Sequence, residues 1–312
     1  EYALSELGLD AVVADVKTNG ALSLNTQDSP FSYFERQTTP YLTAYANGKP
    51  VVQNGWLWHN NAWYWFNSSA TASENMWISD GSYWYYMGAD GKMTTGAFTN
   101  GNAHYVADSS GRMLSNGWAL ANNTWYYLSS SGAAVTGWLS DGQSWYFLNT
   151  STSAMATGWF SDGVRWYYAN SSGRMQANQW ISDNTHWYWL EATGTMATGL
   201  FDDGSAWYGT DGSGRMLSNS WIADPSGSWH YAGGNGALIS GWNFIGGSWY
   251  YFDPTSASHP AKTGVYSDGS ESYYSDTDGR MLSHQWIQIP EGTYRYAGIN
   301  GALRGFASLD AS

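Results

Sequence analysis

Cysteine is absent from the 312 residues, so no disulfide frame holds the chain, which is compatible with either redox compartment. Basic residues are few: Lys and Arg number 12 against 25 Asp and Glu, a net charge of −13. A phosphate backbone needs a basic surface, so this balance argues against nucleic acid. A neutral sugar or a cation fits better, since an acidic field enriches cations. No apolar run approaches the roughly 20 residues that span a bilayer as a helix, so no membrane insertion is expected. No leader-like segment opens at Glu1; we expect a mature form or an excised segment. Charged residues of both signs make up only 12%.

What fills the space is aromatic. Trp numbers 21, Tyr 24 and Gly 37. Such a composition points to many short strands joined by tight turns rather than an ordinary aliphatic core. Internal repetition confirms this reading. A first aromatic position recurs at Trp56, Trp77, Ala97, Trp118, Trp138, Trp159, Trp180, Leu200, Trp221, Trp242, Val265, Trp286 and Phe306. The steps are about 20 or 21 residues, with one of about 23. Each unit reads as a hairpin. Trp77-Ile78-Ser79 is a short strand, Asp80-Gly81 the turn, and Ser82 to Tyr86 the return strand. A Gly-x-Met connector follows at Gly91-Lys92-Met93. One hairpin alone is marginal in water, so the units must stack and bury one another's faces.

Residues 1–40 differ in kind and are read as an N-terminal cap or the remnant of an upstream domain. Tyr2 to Leu9 suggests a short helix and Ala11 to Val16 a buried strand. The array is expected over 41–312, with Phe306 opening a repeat that does not complete.

The copies can be compared with one another. The middle residue of the return strand is Tyr at Tyr64, Tyr85, Tyr105, Tyr126, Tyr146, Tyr167, Tyr188, Tyr208, Tyr250 and Tyr273. Its persistence suits a structural, core position. The two flanking Trp positions are usually Trp yet dispensable. Repeat three has Ala97 and His104, repeat eight Leu200, and repeat eleven Val265 and Ser272. That behaviour marks them as candidate ligand contacts. Paired indoles suit a quaternary ammonium, by cation–π attraction, or the apolar face of a sugar ring. Packing between hairpins is the competing explanation, although a pure core would favour Val, Ile and Leu.

The unit Gly137-Trp138-Leu139-Ser140-Asp141-Gly142-Gln143-Ser144-Trp145-Tyr146-Phe147, with Ala154-Met155-Ala156-Thr157-Gly158-Trp159, closely resembles the choline-binding, or cell-wall-binding, repeat of Gram-positive surface proteins. The resemblance covers about residues 41–312. It implies an all-β repeat solenoid of stacked hairpins, left-handed, with about three hairpins per turn. It also implies sites between consecutive hairpins: two aromatics from one unit, a third from the next, and a nearby Met. Transferred here, the boxes are Trp56, Trp63 and Tyr86; Trp118, Trp125 and Phe147; Trp138, Trp145 and Tyr168; Trp159, Trp166 and Trp189; Trp221, Trp229 and Tyr251; and Trp242, Trp249 and Tyr274. Met155 and Met175 occupy the connector position. Repeats three, eight and eleven have lost their boxes. The implied setting is secreted, at the cell surface or on the cell wall.

Other chemistry finds little support. The six His residues show no metal-ligand spacing. The recurrent Asp-Gly pairs, such as Asp162-Gly163 and Asp268-Gly269, are explained by turn chemistry before calcium or paired catalytic carboxylates. No nucleophile elbow or phosphate loop appears, and neither an enzyme nor a cofactor is expected. Three classes remain: a module for a choline-bearing teichoic acid or related cell-wall polymer, a lectin-like module for glucan or host glycan, and an adhesive surface protein that self-associates through its repeats.

Overall fold

The computed structural model describes the backbone of Ala21–Ser23, Tyr33–Arg36, Leu42–Ala46 and Lys49–Pro50, and residues 55–305 apart from 60, 70, 291 and 292. The expected helix at Tyr2 to Leu9, the expected strand at Ala11 to Val16, and Phe306 lie outside the described residues. Among the described residues there is no helix; every element is a strand. Contacts divide the chain into two compact units, Glu1–Ala156 and Thr157–Ser312.

In the first unit, the strands from Ala21 to Pro50 form one antiparallel sheet in sequence order. This sheet runs across residue 41, where the sequence suggests a boundary. Five hairpins follow, from Gly55–His59 with Ala62–Phe66 to Gly137–Ser140 with Trp145–Leu148. The second unit carries seven, from Gly158–Ser161 with Trp166–Ala169 to Gln285–Gln288 with Tyr294–Ala297. These are the stacked hairpins of the expected all-β repeat fold.

The tips come in two forms. One is the Asp turn. Asp162 Oδ1 accepts hydrogen bonds from the backbone N–H of Val164 and Arg165, each at 2.9 Å. Gly163 takes the left-handed φ of 98° that such a turn needs. The other is a two-residue turn, as at Asn122-Asn123, where both residues have positive φ (49° and 61°). Asn tolerates that region because its short amide bonds locally.

Stacking is written into the backbone of the connectors. Met196 N–H donates to the Trp166 carbonyl of the preceding hairpin at 2.8 Å. Its neighbour Ala197 donates to Trp189 of its own hairpin at 2.9 Å. Met93 and Thr94 repeat the arrangement in the first unit, on Trp63 and Tyr86. Consecutive residues thus tie two hairpins together, which no sheet edge does.

The core runs through the last position of each return strand. Phe66, Met87, Leu148, Leu190 and Phe252 are fully buried there. The middle strand-one residues Leu57, Ile78, Phe201, Ile222 and Ile287 pack beside that line. The Tyr position read as core is also largely buried at Tyr64, Tyr85, Tyr146, Tyr167, Tyr250 and Tyr273.

Candidate binding site: aromatic clefts between hairpins

Strand alternation sends the first Trp of each hairpin towards its successor, and the second Trp stands beside it. Trp56 and Trp63 meet edge to face with centroids 6.3 Å apart, Trp118 and Trp125 at 6.5 Å, and Trp138 and Trp145 at 6.3 Å. In the second unit Trp221 and Trp229 lie 6.4 Å apart, and Trp242 and Trp249 6.5 Å. The second Trp is the exposed member, from 40% at Trp63 to 51% at Trp166. An indole left half in water at such regular spacing is not filling a core.

The third wall differs from the expected one. The ring of the next hairpin that meets the first Trp is the middle Tyr. Tyr85 lies 4.7 Å from Trp56, Tyr146 4.9 Å from Trp118, and Tyr188 4.9 Å from Trp159. Tyr250 lies 4.7 Å from Trp221, and Tyr273 4.7 Å from Trp242. The expected third members sit one residue on, beside the first Trp of their own hairpin and on the face turned to the hairpin that follows; Tyr86 stacks on Phe98, Trp189 on Phe201 and Tyr251 on Tyr266. Tyr86 packs on Trp77, Phe147 on Trp138, Tyr168 on Trp159, Trp189 on Trp180, and Tyr251 on Trp242. Tyr274 stands opposite Val265. A one-residue change on a strand reverses the face, and here it moves a ring from cleft to stack.

Two clefts show the full arrangement. One, of about 520 Å³, is lined by Trp159, Trp166, Tyr188 and Met196, with Asp183 and Arg215 at its edge. The other, of about 250 Å³, is lined by Trp180, Trp187, Tyr208, Met216 and Asn235. The connector Met forms a floor because the next connector offers a glycine. A Cβ on Gly214 would lie 2.5 Å from the Met196 methyl.

The sequence matches the choline-binding repeat over residues 116–160, and the putative cell wall binding repeat over 54–69, 75–93, 157–175, 178–196, 219–238 and 240–255. The chain carries choline-binding repeats. No curated protein sequence matches it. Among solved structures it resembles choline binding protein F of Streptococcus pneumoniae, crystallised in the presence of a peptidoglycan analogue. Identity is 22%, coverage 87% of this chain and 98% of that one, and the TM-score 0.52. CbpJ of Streptococcus pneumoniae TIGR4 is similar at 23% identity, 87% and 99% coverage, and a TM-score of 0.52. These likenesses establish the fold.

Within this choline-binding repeat array, two clefts escape the sequence reading. Trp180 and Trp187 precede a repeat whose first Trp is replaced by Leu200, yet that repeat contributes Tyr208, 4.9 Å from Trp180. Trp77 and Trp84 likewise find Tyr105, 4.9 Å from Trp77. The surviving Tyr was the available signal. By contrast, the junctions after Ala97 and Leu200 are filled. Ala97 packs with Tyr126 and Ala134 against Val106 and Leu128. Leu200 packs with Ile222 and Leu238.

The tip aspartates Asp80, Asp183, Asp203, Asp224 and Asp268 are held as anions. The Asp183 carboxyl lies well below the usual range: the Thr185 hydroxyl and the backbone N–H of His186 and Thr185 hydrogen-bond its charged form. Tyr188 also donates to it at 3.0 Å. Burial pushes Asp203 up, but Ser205, the Trp180 indole and two backbone N–H groups outweigh it and hold the pKa at about 2. Among the described residues no group of His, Asp and Glu is arranged to hold a metal ion.

Proposed function

We propose that the chain is a non-catalytic binding module that holds choline, or a closely related quaternary ammonium, of a cell-wall polymer in the clefts between hairpins. Such a module works at the cell surface or on the cell wall. The observation that carries this reading is the cleft of Trp159, Trp166, Tyr188 and Met196 with an ionised Asp183 at its edge. Three π faces and a thioether give an ammonium cation–π and dispersion contacts without needing a strong hydrogen-bond acceptor. A sugar would turn instead to the polar groups at the edge, Asp183, Ser213 and Arg215. Each face contributes on the order of 1–2 kcal/mol. After the cost of association, millimolar affinity per cleft is expected. Several clefts engaging one polymer raise avidity by roughly 10²–10⁴ where the geometry permits.

Titration of Trp fluorescence with choline and with glucan oligomers tests this. Choline should saturate the signal at millimolar concentration and release the chain from a choline-bearing polymer. Saturation by glucan with no response to choline refutes the reading.

A further inference from the structure

The clefts have similar walls, but what lies behind the walls differs. Where the next hairpin has an Asp tip, a carboxylate is bonded to the wall rings themselves. Trp180 Nε1–H donates to Asp203 Oδ2 at 3.0 Å, and Trp242 Nε1–H to Asp268 Oδ2 at 3.0 Å. Asp268 is also hydrogen-bonded by the Tyr273 hydroxyl. In both aspartates Oδ1 is engaged by turn N–H groups: Ser205 and Ala206 on Asp203, Ser270 and Glu271 on Asp268. The carboxylates are therefore fixed in place as well as charged.

Where the next hairpin has a two-residue tip, no such carboxylate exists. The Trp77, Trp84 and Tyr105 cleft is followed by the Asn100 to Ala103 tip, and the Trp221, Trp229 and Tyr250 cleft by Gly246-Gly247. At the latter, the Arg280 guanidinium hydrogen-bonds Tyr250, as Arg112 does Tyr85 beside the Asp80 tip, while its Nη1 pairs with Asp278 at 2.7 Å. At the Trp180 cleft the corresponding connector presents neutral Asn235.

Building on the ammonium reading, we propose that Asp203 and Asp268 are specificity-determining residues. They make their clefts prefer a quaternary cation over a neutral group of the same shape, whereas the Trp221, Trp229 and Tyr250 cleft lacks that preference. Two physical effects act together. A fixed negative charge hydrogen-bonded to a wall ring attracts a cation and is indifferent to a neutral isostere. An indole N–H donating to a carboxylate also shifts electron density into the ring, which deepens the negative face a cation meets. The array is then a mixture of charge-selective and shape-selective sites.

The test compares choline with its uncharged tert-butyl isostere by calorimetric titration of the full chain, wild type against Asp203→Asn/Asp268→Asn. Choline affinity at two of the sites should fall by about tenfold, the effect of one well-placed charge, while the isostere titration is unchanged. Arg280→Gln should leave the isostere unchanged and strengthen choline binding. Parallel loss of choline and isostere overturns the inference, because it shows that the aspartates only orient the rings. Intact choline binding in the double variant also overturns it and leaves the ammonium reading standing. A wild type that binds the isostere but not choline overturns both.

Discussion

Trp187 and Leu190 share one four-residue strand, and their substitution by Ala should separate binding from folding. Leu190 is 0% exposed and Trp187 is 49% exposed. Leu190→Ala removes buried methyl groups and leaves a cavity, costing about 3 kcal/mol. In a unit of this size that lowers the unfolding midpoint by about 6–12 °C. Trp187→Ala gives up roughly 100 Å² of buried ring, less what a compact unfolded chain already hides, or about 2 kcal/mol. No cavity forms, since the ring lines an open cleft. Binding should order the two oppositely. Losing one aromatic wall weakens an ammonium by about 5- to 30-fold at that cleft. Calorimetric titration of choline should show one site lost in Trp187→Ala and every site kept in Leu190→Ala. If Trp187→Ala leaves choline binding intact and only lowers the midpoint, the exposed indoles are packing residues and the cleft argument fails.

Three further outcomes follow from the same geometry. Asp203 has its folded pKa depressed to about 2, so its contribution to stability is present above about pH 4 and is lost as pH falls towards 2. The difference in unfolding midpoint between wild type and Asp203→Asn should therefore shrink over that window, which circular dichroism melts can follow. Gly214→Ala forces a side chain into φ +78° and displaces Met196, costing about 1–2 kcal/mol in chemical denaturation and weakening choline at the Trp159 cleft. Tyr188→Phe should retain that cleft's binding, since the ring remains; Tyr188→Ala should lose it, as fluorescence titration would show.

The hairpin period, the Asp-Gly tips and the paired Trp residues were legible because each recurs with the same residue type in many of the copies. The third wall was not. Tyr85 and Tyr86 are adjacent aromatics on opposite faces of one strand, and a sequence does not say which face meets the preceding hairpin. Invariance suggested that the middle Tyr served the core alone; in the structure it is buried and walls the cleft at once. The most buried line also escaped notice. It reads Phe66, Met87, Ala107, Leu128, Leu148 and Ala169 along the chain. Size varies there from Ala to Phe, so no constant letter marks the position. The Trp180 and Trp187 cleft is not legible because the third wall is expected one residue on, where the next repeat has Gly209.

The paired connector bonds have a consequence for how such a chain can change. Met196 reaches back to Trp166 while Ala197 holds its own hairpin. A site is thus a property of a junction and not of a repeat. Excising one whole period would bring the Trp pair of one hairpin against the Tyr and Met of the next but one. The result is a hybrid junction with all its walls, and the array is shorter by one site. Length changes confined to a tip leave the junction register alone, which is why the two tip forms coexist. Duplication and loss of units can therefore retune valency in whole steps, while exchange of one tip for the other retunes the chemistry of the junction before it.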